Sequence, residues 1–203
     1  MNWGARCGDM AIQETVLDVD AVWDLSRQPE YDNKRLVLID GELIVMSPVK
    51  QMHGLLAVRL SACLLLYADE HGLGEVTTEV GHYPPGDRRT LLAPDVAFTT
   101  QARINQTAQD EFVPLMPDLA VEIASPGDSL AQLRRKAAIY LDNGARLVWI
   151  VLPDQQGVDV CRSAVGARLD IEFVGSDGAL SGEEVLPGFA LELSELFPNP
   201  RSS

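Results

Sequence analysis

Two apolar segments bracket a helical one, and that order limits the fold more than any other feature of the chain. Residues 147–152, Leu-Val-Trp-Ile-Val-Leu, are apolar without interruption, which suits a strand buried on both faces. Residues 119–123, Leu-Ala-Val-Glu-Ile, read as a second strand. Between them Leu130, Leu133, Ala137, Tyr140 and Leu141 recur at helical spacing and form an apolar stripe. Strand, helix, strand with short connections predicts a parallel pair joined by a right-handed crossover. The expected fold is therefore α/β, a central mixed sheet flanked by helices.

Acids sit on this apolar frame. Strand side chains alternate between faces. Val96 and Phe98 share one face of a strand over residues 95–99, and Asp95, Ala97 and Thr99 share the other. In the next strand Leu119, Val121 and Ile123 oppose Ala120, Glu122 and Ala124. Each strand thus has a bulky greasy face and a small-residue face bearing one carboxylate. A charge on a buried strand costs several kcal/mol, order of magnitude, unless it is paired or binds a metal. If the strands are neighbours, Asp95 and Glu122 converge with space beside them, which suits an oxygen-preferring cation such as Mg²⁺. A solvated sheet face carrying two unrelated acids fits the same pattern.

Ser125-Pro126-Gly127-Asp128-Ser129 stops the second strand, and Asp128 or Ser129 is placed to cap the helix that follows. That helix carries Arg134, Arg135 and Lys136. Arg135 points away from the apolar stripe, while Arg134 and Lys136 flank it on opposite edges. Either can reach back towards the acids, and periodicity does not choose between them. Solvated surface charge is the ordinary fate of such a run.

Together these residues resemble a known pattern. Pro94-Asp95, then Glu122 on the next core strand, then a basic residue, is similar to the PD-(D/E)XK nuclease superfamily. Gly41-Glu42, His53, Pro94-Asp95-Val96, Val121-Glu122-Ile123-x-Ser125-Pro126, Lys136-x-x-x-Tyr140 and Gly144-x-x-x-Val148-Trp149 resemble, more closely, the Uma family of restriction endonucleases over residues 18–197. The superfamily lysine two residues after the glutamate is absent, because that position is Ala124. In the family the lysine is thought to come from the following helix, so the resemblance favours Lys136 over Arg134. It implies a restriction-endonuclease-like core and a homodimer. It raises Glu42 to a further metal ligand and His53 to an orienting or phosphate-facing group. Read from residues alone, Glu42 is a solvated hairpin acid and His53 a packed core histidine.

The function expected on this basis is divalent-metal hydrolysis of DNA phosphodiester bonds. Asp95, Glu122 and the Ile123 carbonyl would hold Mg²⁺ or Mn²⁺, and Lys136 would orient the attacking water or stabilise developing charge. Two alternatives stand beside it: an inactive interaction domain on a nuclease scaffold, and a metal hydrolase of another phosphate ester. The net charge of -14 argues against tight nonspecific DNA binding, which relies on Lys and Arg. It leaves room for a local basic patch or a separate targeting partner. Arg88 and Arg89 are the best candidates for local phosphate contact, although ordinary loop charge is the more usual role for such residues.

Elsewhere, residues 1–17 read as a leader, 18–197 as one domain and 198–203 as a tail. Residues 35–46 predict a hairpin turning at Asp40-Gly41, 48–72 a long helix with His53 on its apolar stripe, and 75–83 a strand. Glu79 on that strand either faces the cleft or is an exposed sheet acid. Residues 101–117 read as a polar connection with room for a short helix, and its length suggests a flap or a binding loop. Residues 158–162 and 169–174 predict a hairpin added to the core, and 191–196 a final strand or helix. Cys7, Cys63 and Cys161 match neither a zinc spacing nor a disulfide framework, which fits a reducing cytoplasm. No signal peptide is evident, and the apolar stretches read as too short for the roughly 20 residues that span a bilayer.

Overall fold

The computed structural model describes residues 17–46, 48–104, 111–164, 166 and 168–197. The expected leader, except Leu17, and the expected tail lie outside them, as does Cys7. Helix α1 (Val19–Ser26) starts at Asp18, whose side chain accepts the Ala21 N–H at 2.9 Å. Strands β1 (Arg35–Ile39) and β2 (Glu42–Met46) form the predicted hairpin. Asp40 and Gly41 turn it at φ +55° and +84°, the paired left-handed conformation that Asp-Gly tolerates. Helix α2 (Gln51–His71) ends on Gly72 in the left-handed region.

Next come β3 (Gly74–Thr77), β4 (Val96–Thr100), α3 (Gln101–Ile104), β5 (Leu119–Ile123), α4 (Leu130–Asp142) and β6 (Leu147–Leu152). The chain closes with β7 (Gly157–Ala164), β8 (Arg168–Val174), β9 (Ala179–Ser181), β10 (Ala190–Glu192) and α5 (Leu193–Leu196). The main sheet runs β3-β4-β5-β6-β7-β8, with β5 and β6 parallel and every other pair antiparallel. The fold is the expected mixed α/β sheet.

Side-chain alternation sorts the core into two layers. Val96, Phe98, Leu119, Val121, Ile123 and Trp149 pack towards α2 and the C-terminal segment. Ala120, Val148 and Ile150 pack the other way, against α4 and the hairpin residues Val37 and Ile39. The hairpin's second face, Leu36 and Leu38, packs on Val19, Val22 and Leu91. The hairpin is thus clamped over the sheet face that bears the small residues.

Three expectations change and one is refined. The strand expected over 75–83 stops at Thr77, because Glu79 adopts φ +57° and leaves the extended conformation. The hairpin expected as an addition, β7–β8, instead extends the main sheet, since β7 pairs directly with β6 and buries Val158, Val160 and Cys161. The final segment is a strand followed by a helical turn. Helix α2, at 21 residues, is by length and composition able to cross a membrane, contrary to the sequence expectation. Its inner stripe of His53, Leu56, Leu60, Leu64 and Ala68 is buried in the core, while Val58 and Leu66 face outward.

His82, without an assigned role in the sequence, is buried. Its Nδ1 donates to the Leu115 carbonyl at 3.0 Å, and Nε2 has no hydrogen-bond partner among the described residues. Burial, assisted by the Arg103 charge, pulls its pKa from 6.5 down to about 4 despite the Leu115 bond. The unfolded chain therefore binds the proton first, and stability falls as pH drops between those values. At pH 4.5 this amounts to roughly 2 kcal/mol. Urea unfolding of wild type and His82→Met at pH 7 and 4.5 is expected to show the larger acid loss in wild type. Equal losses would mean that His82 does not carry it.

Candidate active site

Asp95 immediately precedes β4, and Val96 pairs with Val121 of β5. The Asp95 N–H donates to the Val121 carbonyl at 2.9 Å, and its Oδ2 accepts the Ile123 N–H at 2.6 Å. The side chain extends the β4–β5 ladder by one rung, which fixes its orientation. Glu122, the residue between these two contacts, points to the layer occupied by α4. The adjacency that the strand pattern required is therefore present.

Each carboxylate is 2–3% exposed, and each has its own set of donors. Asp95 Oδ1 accepts from Arg35 Nη1, and the His53 Nε2 lies 3.1 Å from the same oxygen. An ionised carboxylate only accepts, so Nε2 carries the proton; in the neutral ring Nδ1 then accepts the Ser125 hydroxyl, 3.1 Å away. Glu122 Oε1 accepts the Tyr140 hydroxyl and Oε2 accepts Lys136 Nζ, both at 2.9 Å.

The two acids are pushed in opposite directions. Burial alone would raise the Asp95 carboxyl, but the His53 hydrogen bond and the Arg35 charge outweigh it and hold it below the usual range. Burial raises Glu122, and the Asp95 charge adds to this; Lys136 and Tyr140 offset only part. The Tyr140 phenol is driven well up by burial and by the Glu122 charge, so it remains a donor.

Three successive cations of α4 go three ways. Lys136 reaches Glu122, Arg134 pairs with buried Asp159 on β7 at 2.7 Å, and Arg135 pairs with Asp40 at the hairpin turn at 2.8 Å. The surface-charge reading thus fails for Arg134 and Lys136. Ser129 occupies the helix N-cap position without a side-chain cap bond, and Asp128 accepts the Ser125 N–H at 2.7 Å instead, bracing the loop.

These groups border an open cleft of about 450 Å³ whose walls include Arg35, His53, Asp95, Glu122, Ser125 and Lys136. Ile123 lines it too. Glu42 does not: it pairs with Ile39, so it shares the cleft-facing side of the hairpin but at the turn end. Ile39 lies four residues from Arg35, which is about 13 Å along a strand. Glu42 is exposed and makes no side-chain bond among the described residues. Arg88 pairs with Asp20, and Arg89 donates to the Asp40 carbonyl at 2.6 Å. No group of three or more His, Cys, Asp or Glu is gathered for a metal among the described residues.

With the geometry in place, residues 23–194 match the model of the Uma2 family, described as "Putative restriction endonuclease". The chain belongs to this family. Its fold is similar to the crystal structure of a protein of Anabaena variabilis, described there as a putative nuclease. The TM-score is 0.75 at 18% identity, over 89% of this chain and 97% of that one, so the mixed α/β fold is shared. No curated protein matches the sequence significantly.

Arg35 is the cleft residue that sequence reasoning missed. The available signal was its place in the alternation Arg35, Val37, Ile39, which puts a guanidinium on an apolar face and demands an acid. The phenol of Tyr140, on a buried stripe, demanded a partner for the same reason.

Lys136 faces a buried acid, so removing it isolates a charge. Lys136→Met is expected to cost roughly 3 kcal/mol at pH 8. The deficit should shrink towards pH 6, because a lone Glu122 folds best protonated and its raised pKa favours the folded state as pH falls. Urea unfolding at both values checks this; a deficit that grows with acidity would contradict the pairing.

Proposed function

We propose that the chain is a divalent-metal-dependent endonuclease that hydrolyses DNA phosphodiester bonds. The observation that carries this reading is the pair of buried carboxylates, Asp95 and Glu122, on adjacent strands at the wall of an open cleft, with Lys136 against one of them. The nuclease family supports the substrate class.

The donor chemistry fits Mg²⁺ or Mn²⁺. Two carboxylates and a backbone carbonyl at Ile123 are hard oxygen donors, and Mg²⁺ takes few protein ligands while keeping several waters. Asp95 Oδ1 already accepts two donors, but Asp95 Oδ2 and both Glu122 oxygens accept one each and retain acceptor capacity. When bound, the ion would lower the pKa of a water and neutralise charge on the scissile phosphate. The chain's own residues do the rest. His53, locked between Ser125 and Asp95, holds the Asp95 carboxylate in place. Lys136 places a positive charge beside Glu122, where it orients the attacking water and stabilises the charge that develops on phosphate. Tyr140 keeps the other Glu122 oxygen fixed. Glu42, at the hairpin tip, would act only on a ligand that extends along the hairpin.

A second reading is an interaction domain without turnover. What favours it is that Arg35 and Lys136 already balance both acids, as a purely structural site would require. Duplex cleavage with Mn²⁺, Mg²⁺ or EDTA separates the two. Activity should need the ion and fall about 100-fold or more in Asp95→Asn, Glu122→Gln and Lys136→Met. Cleavage at equal rates by wild type and the three variants would expose a contaminant and sink the assignment.

A further inference from the structure

Without an added ion the buried ion-pair cluster is already balanced: Asp95 and Glu122 face Arg35 and Lys136, two charges of each sign. A divalent cation entering beside both carboxylates would leave four positive charges against two negative ones. One resident cation therefore has to yield, and the two differ in where they can go. Among the described residues Lys136 is ion-paired to Glu122 and to no other acid. Arg35 stands between two acids, since its Nη1 on Asp95 also lies 4.0 Å from Glu79 Oε1.

Glu79 is held there deliberately. It adopts φ +57°, a conformation that a non-glycine residue keeps only when its surroundings impose it, and its N–H is pinned to the Pro94 carbonyl at 3.0 Å. Its side chain is 59% exposed and has no hydrogen bond of its own among the described residues, whereas Arg35 is 11% exposed. Arg35 also separates two depressions. One is the Asp95–Glu122 cleft; the other, of about 490 Å³, is walled by Lys34, Arg35, Glu79, Gly81 and Phe112. Space on the far side of the guanidinium lets it rotate without repacking the core.

We infer that Arg35 is a displaceable internal counter-ion: a divalent cation takes its place at Asp95, and the guanidinium passes to Glu79. This rests on the metal-site reading above and adds a role for two residues outside the expected ligand set. Arg35 keeps the acids compatible with a folded, ion-free chain and sets a threshold for loading. Once moved, it presents its planar donors at the mouth of the cleft, where an anionic phosphodiester would approach.

Calorimetric titration of Mn²⁺ into the full chain, alone and with a short DNA duplex, tests this without relying on turnover. Arg35→Met removes the competitor and should bind Mn²⁺ about tenfold tighter than wild type. Glu79→Gln removes the receiving acid and should bind about threefold weaker, an effect that should vanish in the double variant. Asp95→Asn should abolish binding. Should Arg35→Met unfold, Glu79→Gln decides alone, because its side chain is solvent-exposed and an unchanged affinity would overturn the exchange. Equal or weaker binding by Arg35→Met, or a Glu79→Gln loss that persists in the double variant, overturns the proposal and leaves the metal site standing. No binding by wild type or Arg35→Met, with or without duplex, removes the metal site and the proposal together.

Discussion

Two carboxylates buried on neighbouring strands are the constraint to which the remaining structure responds. Neither Asp95 nor Glu122 is tolerable alone in that position. Their compensation arrives from separate elements: Arg35 from the hairpin, His53 from the start of α2, Lys136 and Tyr140 from α4, and the Ile123 N–H from β5 itself. The hairpin, two helices and the central strands must all be docked before the acids are satisfied. The site thus depends on tertiary assembly, and the assembly in turn is registered by the site. The Arg135–Asp40 and Arg134–Asp159 pairs tie α4 to the hairpin and to β7, so the helix that delivers Lys136 is anchored on both sides.

Strand faces were legible in the sequence because they depend on a local period. Val96 and Phe98 against Asp95, or Val121 and Ile123 against Glu122, follow from alternation alone, and the structure sorts them into the two layers that alternation implies. The hairpin was legible for a similar reason, since Asp40-Gly41 encodes its own turn. Contacts between elements were not. Periodicity leaves Arg134 and Lys136 equivalent on the same stripe; the family resemblance favoured Lys136, and the arrival of β7, with Asp159 buried opposite Arg134, is the physical difference between them. Arg35 was hidden because nothing local says which layer covers the small-residue face of the sheet. Glu79 broke a run that looked extended, and a single left-handed residue leaves no periodic trace.

The net charge of -14 is less at odds with a nucleic-acid substrate than it first seems in a bare sum. Electrostatic attraction acts locally, screened beyond about 8–10 Å at physiological salt. Lys50, Arg35, Arg135 and Lys136 all line the cleft. Most of the acids that set the total, including Glu42 and the Asp69–Glu70 pair, are exposed elsewhere on the surface. On the proposed reading, the consequence would be weak general affinity for a polyanion and a restricted place where one is accepted. Such a distribution favours selectivity by position over tight, indiscriminate binding.

Stability does not account for the arrangement. Replacing a buried ion-pair network with well-packed apolar side chains is often neutral or stabilising by about 1–4 kcal/mol. The surrounding residues, Ala97, Ala120, Ala124 and Ala137, are small enough for such a core to have been built. Instead the acids are retained, and their environments are driven apart: Asp95 is held ionised by His53 and Arg35, while Glu122 is raised by burial and by the charge of its neighbour. A pair of acids tuned in opposite directions, one held below and one above the usual carboxylate range, has chemical use at the wall of an open cleft. In a closed core it would only cost free energy. Its position beside Ser125 and Lys136, where solvent enters, is what turns a thermodynamic liability into an argument for ion and phosphate chemistry.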